Sequence, residues 1–157
     1  MATRFRFRLE PLLKLRKSLE QQAQRQLAHR MAARNEAEAH LKDLQQRQAE
    51  AVASRGLGPG QEIDLSFWAN LERYLVVLEK RIIQARIGLD EAEAQVVVAR
   101  QALTKAHQEF LMLLRLKERR QEQHDLEAFH EEIREADEIA VLRHRFTEAR
   151  PVRSSVS

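Results

Sequence analysis

From Trp68, alternate steps of three and four residues reach Leu71, Leu75, Leu78, Ile82, Ala85, Leu89, Ala92, Val96, Ala99, Leu103, Ala106, Phe110 and Leu113. All fourteen positions are apolar, in a chain that is 43% hydrophobic. Chance gives such a run, with the phase left free, about once in ten thousand trials. A mean spacing of about 3.5 residues keeps one stripe against a partner helix as the pair winds left-handedly, so the pattern predicts a coiled-coil seam. The next three positions, Lys117, Arg120 and His124, are polar, and the stripe stops there. Apolar residues resume in another phase at Leu126, Phe129, Ile133, Ala136 and Ala140, with Phe146 near the end. The helix is expected to continue past residue 117 with a different partner.

A second stripe lies upstream, through Leu12, Leu19, Ala23, Leu27, Met31, Ala37, Leu41 and Leu44, fading at Ala51 and Val52. Its steps of four between residues 19 and 31 read as a stutter, which locally unwinds a supercoil. Arg34 interrupts it. This Gln-rich arm is the weaker helix and depends on tertiary contact.

Between the arms stands "SRGLGPGQEIDLS", residues 54–66, with three of the chain's four glycines and one of its three prolines. Gly56 is expected to close the first helix with positive φ, and Pro59 to prevent its continuation. Asp64 or Ser66 is expected to cap the second helix beside Phe67 and Trp68. Two amphipathic helices across a short break predict an antiparallel hairpin, folded near residue 60, which sets residue 10 near residue 110. The fold class is therefore all-α: two long helices in an antiparallel coiled-coil hairpin, the second projecting beyond the first by about 45 Å. The expected layout is a single coiled-coil domain, with an N-terminal clip over 1–10, helix one over 11–54, a loop over 55–65, helix two over 66–148 and a flexible tail over 149–157.

The opening, "RFRFRLEPLLKLR", alternates arginine with phenylalanine over residues 4–8. Pro11 suits a first helical turn, where its missing N–H costs nothing. Phe5, Phe7 and Leu9 are expected to lie over Phe110, Leu113, Leu114 and Leu116, with Arg4, Arg6 and Arg8 turned to water. The arginines break the apolar core that a secretory signal would need, and Pro11 with the unbroken run into the repeat argues against a cleaved mitochondrial presequence.

Composition fits this reading. The chain has 157 residues, 32% of them charged, 5% aromatic and no cysteine. Long helices rich in Ala, Leu, Glu, Gln and Arg have this signature, and disulfide or thiolate chemistry is excluded. No apolar run reaches the ~20 residues needed to cross a bilayer. The net charge of +3 hides a polarity: residues 1–34 carry nine basic and two acidic side chains, whereas residues 121–148 carry nine acidic and three basic. A bipolar chain favours protein partners over nucleic acid.

Chemical motifs are scarce. "GLGPG" lacks the lysine and hydroxyl residue of a phosphate loop, and no nucleophile stands at a recognisable spacing from a base. Glu127 and His130 in "EAFH" have the Glu-x-x-His spacing of di-iron helices, but only one copy is present. No HExxH or Cys/His array occurs. The chain reads as a non-enzyme without cofactor or metal. A nucleic-acid role could draw on the basic residues of the first third, but the aromatic stacking residues stop at Phe7 there.

"FRFRLEPLLKLRKSLEQQAQRQLA" resembles the opening of the FliJ family, small coiled-coil proteins of the bacterial flagellar type III export apparatus. "FWANLERYLVVLEKRI" resembles the start of that family's second helix, and the related injectisome stalks share the layout. The resemblance covers nearly the whole chain, and the Arg/Phe opening favours the flagellar branch. It implies a cytoplasmic protein, peripherally associated with the inner face of the cell membrane at the flagellar base. It also implies a two-helix stalk similar to the γ subunit of rotary ATPases, bound to the export ATPase hexamer, the membrane export gate and export chaperones. Gate contact, by resemblance, falls on Tyr74, Leu78, Arg81 and Ala85, of which Leu78 and Ala85 also lie on the seam. The protruding ends would enter the ring, with Arg4, Arg6, Arg8 and the cluster Arg115, Lys117, Arg119 and Arg120 reading acidic loops of the pore. A monomeric hairpin is expected. The competing readings are a scaffold that self-associates through the Trp68–Leu113 seam and a basic nucleic-acid-binding coiled coil.

Overall fold

The computed structural model describes residues 3–56 and 64–149. Two helices dominate it: α1, Glu10–Ala53, of 44 residues, and α2, Leu65–Glu148, of 84 residues. No strand occurs among the described residues. Contacts group into two units, one built from Leu15–Glu109 and the other from the residues before and after that span.

In the Leu15–Glu109 unit, α1 and α2 pack against each other in antiparallel fashion. Every α2 seam position from Trp68 to Ala106 is buried or half-buried. The tightest part is a cluster of Leu41 and Leu44 from α1 with Leu78 and Ile82 from α2, on which Ala85 and Leu89 pack. Leu78, at 1% exposure, is the most enclosed side chain. Complete burial of a leucine stabilises a fold by about 2 kcal/mol, so four such residues anchor the hairpin where neither helix would stand alone.

The α1 side of the seam differs from the expected stripe. Arg16, Glu20, Ala23, Leu27, Arg34, Ala37, Leu41, Leu44, Gln48 and Ala51 are buried or half-buried and keep steps of three, four or their sum. There is no stutter. Leu19 and Met31 sit at the exposed edge, and Arg34 is a member of the seam, not its interruption. Long polar side chains fill these positions because their aliphatic stems cover apolar surface while their charged heads reach outward. Arg34 reaches Glu38 at 3.7 Å and Glu93 at 3.8 Å, Arg16 lies 2.6 Å from Glu109, and Glu20 meets His107 Nδ1 at 2.8 Å.

The register is also corrected. Folding at residue 60 would bring Arg34 opposite Arg86, yet it meets Glu93, and Arg55 pairs with Glu72. The match between the Leu41–Leu44 and Leu78–Ile82 pairs sets the alignment, and the mid-point of the connection does not.

The helix ends have distinct closures. At the end of α1, Arg55 N–H donates to Val52 O and Gly56 N–H to Ala53 O, both at 3.1 Å, and Ser54 Oγ donates to Ala51 O at 2.6 Å. These tightened turns end the helix without the left-handed conformation expected of Gly56. Pro59, the expected stop, lies outside the described residues. At the start of α2, Asp64 Oδ1 accepts from the N–H groups of Ser66 at 3.0 Å and Phe67 at 3.3 Å, so Asp64 is the cap.

In the other unit, residues 3–7 run without regular structure into the first turn of α1, which holds Pro11. Glu10 N–H donates to Phe7 O at 3.1 Å. Phe5, Phe7 and Leu9 are half-buried while Arg4, Arg6 and Arg8 are exposed, the alternation that the opening sequence implies. They line a depression with Leu116, one of the residues expected beneath them, and with Gln123 and His124 farther along α2, and the Phe5 and His124 rings lie 5.6 Å apart. Glu10 pairs with Lys117, seven residues beyond the residue 110 expected near it, so the clip before it reaches farther along α2. From Phe129 to Ala149 every residue of the chain is exposed. The phase-shifted stripe therefore has no cover among the described residues.

Candidate functional site

The clip forms its basic surface from the simplest of patterns. Irregular backbone over residues 3–7 and the turn that follows leave Phe5, Phe7 and Leu9 half-buried and Arg4, Arg6 and Arg8 exposed. Arg4, Arg6 and Arg8 share one shallow depression with Arg120, and Arg4 and Arg6 share another with Lys117 and Gln121. Arg115 and Arg119 are exposed but line neither. Lys117 differs from the rest: it is half-buried, with Nζ 2.9 Å from Glu10 Oε2. Its charge is engaged within the chain, whereas the six arginines present theirs to solvent. His124 completes the bed, and its Nδ1 is buried without a hydrogen-bond partner.

The four residues carried over by resemblance to the gate contact divide in two. Tyr74 is 43% exposed and Leu78 is 1% exposed. Arg81 is exposed and Ala85 half-buried against the core cluster. While the hairpin is closed, a partner could touch Tyr74, Arg81 and the rim of Ala85, and would meet Leu78 only after the helices parted. Arg81 and Ala85 line a shallow groove with Lys80, Gln84 and Gly88 of α2 and with Ala37 and His40 of α1. The α1 pair was missed in the sequence, because nothing but the register brings those residues beside Arg81.

Among the described residues no three His, Asp or Glu side chains gather as a metal site. Glu127 lines the edge of the clip depression, and the His130 ring lies 6.2 Å from that of Phe129. No described helix is long and apolar enough to cross a membrane. What the surface offers is charge and shape for protein contact: a cationic clip, an acidic apolar helix end, and a shallow groove on the hairpin.

Nothing among curated proteins or solved structures matches the chain significantly. A family model does. Described as the flagellar FliJ protein, it matches residues 5–148, from the first phenylalanine of the clip to the last residue of α2. The clip from Phe5 onward and both helices therefore fall inside the match, and the chain belongs to the FliJ family of flagellar export proteins.

Proposed function

We propose that this chain is a non-enzymatic stalk and adaptor of the flagellar type III export apparatus. It binds the export ATPase ring and links it to the membrane export gate and to export chaperones, working in the cytoplasm at the inner face of the membrane. The observation that carries this reading is the family match over residues 5–148. The exposed arginines of the clip, the exposed apolar end of α2 and the groove beside Arg81 support it, because each is a surface without cover among the described residues.

A stalk acts through asymmetry. Two helices inside a six-fold ring meet unlike surfaces on each subunit, and they favour nucleotide closure in those subunits that they touch more strongly in the closed state. Arg4, Arg6, Arg8, Arg115, Arg119 and Arg120 supply cationic contacts to acidic loops of the pore, with Lys117 holding the clip in place through Glu10. Tyr74 and Arg81 supply the gate contact, and Ala85 forms the groove floor beside them. Leu78 acts from beneath, by keeping that surface in register.

The test is stimulation of the ATPase by the full chain. Reversing Arg115, Arg119 and Arg120 to Glu should abolish stimulation while helicity is retained. Undiminished stimulation by the folded variant refutes the pore contact. Failure of the wild-type chain to co-purify with the ATPase removes the stalk reading altogether.

A further inference from the structure

α2 carries a second stripe on the side away from α1. Val76, Ile83, Ile87, Val97 and Val98 are each between 47% and 59% exposed, although all are large and apolar. Val76, Ile83, Ile87 and Val97, with Lys80, Asp90 and Ala94, fall in steps of four and three, which is a heptad on its own account, and Val98 stands beside its last member. α1 covers the opposite side, at Leu78, Ile82 and Leu89.

Charge selects the occupant. Leaving out Glu93, which pairs with Arg34 of α1, residues 73–86 hold four basic side chains and one acidic, whereas residues 87–98 hold two acidic and no basic. The patch is positive at one end and negative at the other, with Ile87 at the change of sign. A partner of uniform charge would be repelled by half of it. A second copy, turned about a two-fold axis at Ile87, sets each positive half on a negative one, as an isologous contact requires. Lys80, Arg86, Asp90 and Glu91 have no ion-pair partner within the hairpin among the described residues, so their charges are free for that purpose.

We propose that the face of α2 from Val76 to Val98 docks a second copy of this chain, the two α2 helices running antiparallel through Ile87. Val76 then meets the partner's Val97, Ile87 meets its own counterpart, and Lys80 and Arg86 approach Glu91 and Asp90 across the axis. The contact is ~33 Å of helix on one face, near the lower limit of stable interfaces, so dimers form reversibly and the single hairpin prevails when dilute.

Sedimentation equilibrium of the full chain tests this over a concentration series reaching the order of hundreds of micromolar. The expected result is a monomer–dimer equilibrium that Ile87→Glu weakens roughly tenfold or more. Reversal of Lys80 and Arg86 to Glu should weaken it likewise, and adding Asp90→Lys and Glu91→Lys should restore it. Because the chain has no cysteine, Ile87→Cys should oxidise to a covalent dimer, whereas Val76→Cys alone should not. Circular dichroism confirms that each variant is folded. A chain that stays monomeric throughout, or a dimer indifferent to Ile87→Glu and to the charge reversals, overturns the proposal.

Discussion

Lys117 Nζ lies 2.9 Å from Glu10 Oε2, tying the first residue of α1 to the α2 position at which the apolar seam gives way to charge. Both side chains are about one-third exposed, at 34% and 35%, which limits the pair to about 1 kcal/mol or less. Lys117→Ala and Glu10→Ala should each cost about 0.5–1 kcal/mol, and the double variant no more than the worse single one. Chemical denaturation of the four proteins measures the coupling, and fully additive costs would mean that the ion pair has no energetic content.

Burial and exposure separate two neighbours on the proposed gate surface. Leu78→Ala should lower unfolding free energy by about 2–4 kcal/mol, since it empties the best-packed site of the hairpin. Tyr74→Ala should cost roughly 0.5 kcal/mol or less, yet weaken gate binding. Equal destabilisation by the two changes would contradict the burial described above.

The alignment of the arms is open to a direct check by cross-linking. Ala23→Cys paired with Leu103→Cys should oxidise readily within one chain, because Glu20 already meets His107 nearby. Ala23→Cys paired with Val96→Cys, the seam position within a residue of the alignment expected from a fold at residue 60, should not. The two α2 positions differ by about 10 Å along the helix axis, beyond the reach of a disulfide.

Gly88 stands within α2, and a Cβ added there meets nothing within 4 Å. Gly88→Ala should therefore stabilise the chain by about 0.5–1 kcal/mol through helix propensity alone. Thermal unfolding followed at a helix signal reads the change, and a lower midpoint would show that the glycine serves the native packing.

The α2 seam was legible because each of its positions is apolar, so a period of 3.5 stands out in the letters alone. The α1 seam was not, because Arg16, Glu20, Arg34 and Gln48 occupy its positions and a search for apolar residues passes over them to Leu19 and Met31. Their burial depends on what lies opposite: Glu109, His107 and Glu93 receive the three charged heads. Register could not be read from the connection, since side-chain fit between Leu44 and Leu78 fixes it. The clip shows both outcomes at once. Its inward and outward residues follow from simple alternation and Leu116 lies beside them as expected, while the partnership of Phe5 with His124 has no signal in the letters. The partner surfaces were named through family resemblance, and the structure adds which of those side chains have room to be touched: Tyr74 and Arg81 do, Leu78 does not.

Past Phe129 the backbone of α2 is held by its own ladder of amide hydrogen bonds, with no side chain from elsewhere among the described residues laid across it. An isolated stretch of this kind opens and recloses easily, so its amides should trade hydrogen for deuterium well before those flanking Leu78. Any protein that encloses it would slow that trade. The far end of the chain thus serves as a native reporter of engagement, readable by mass spectrometry without a label.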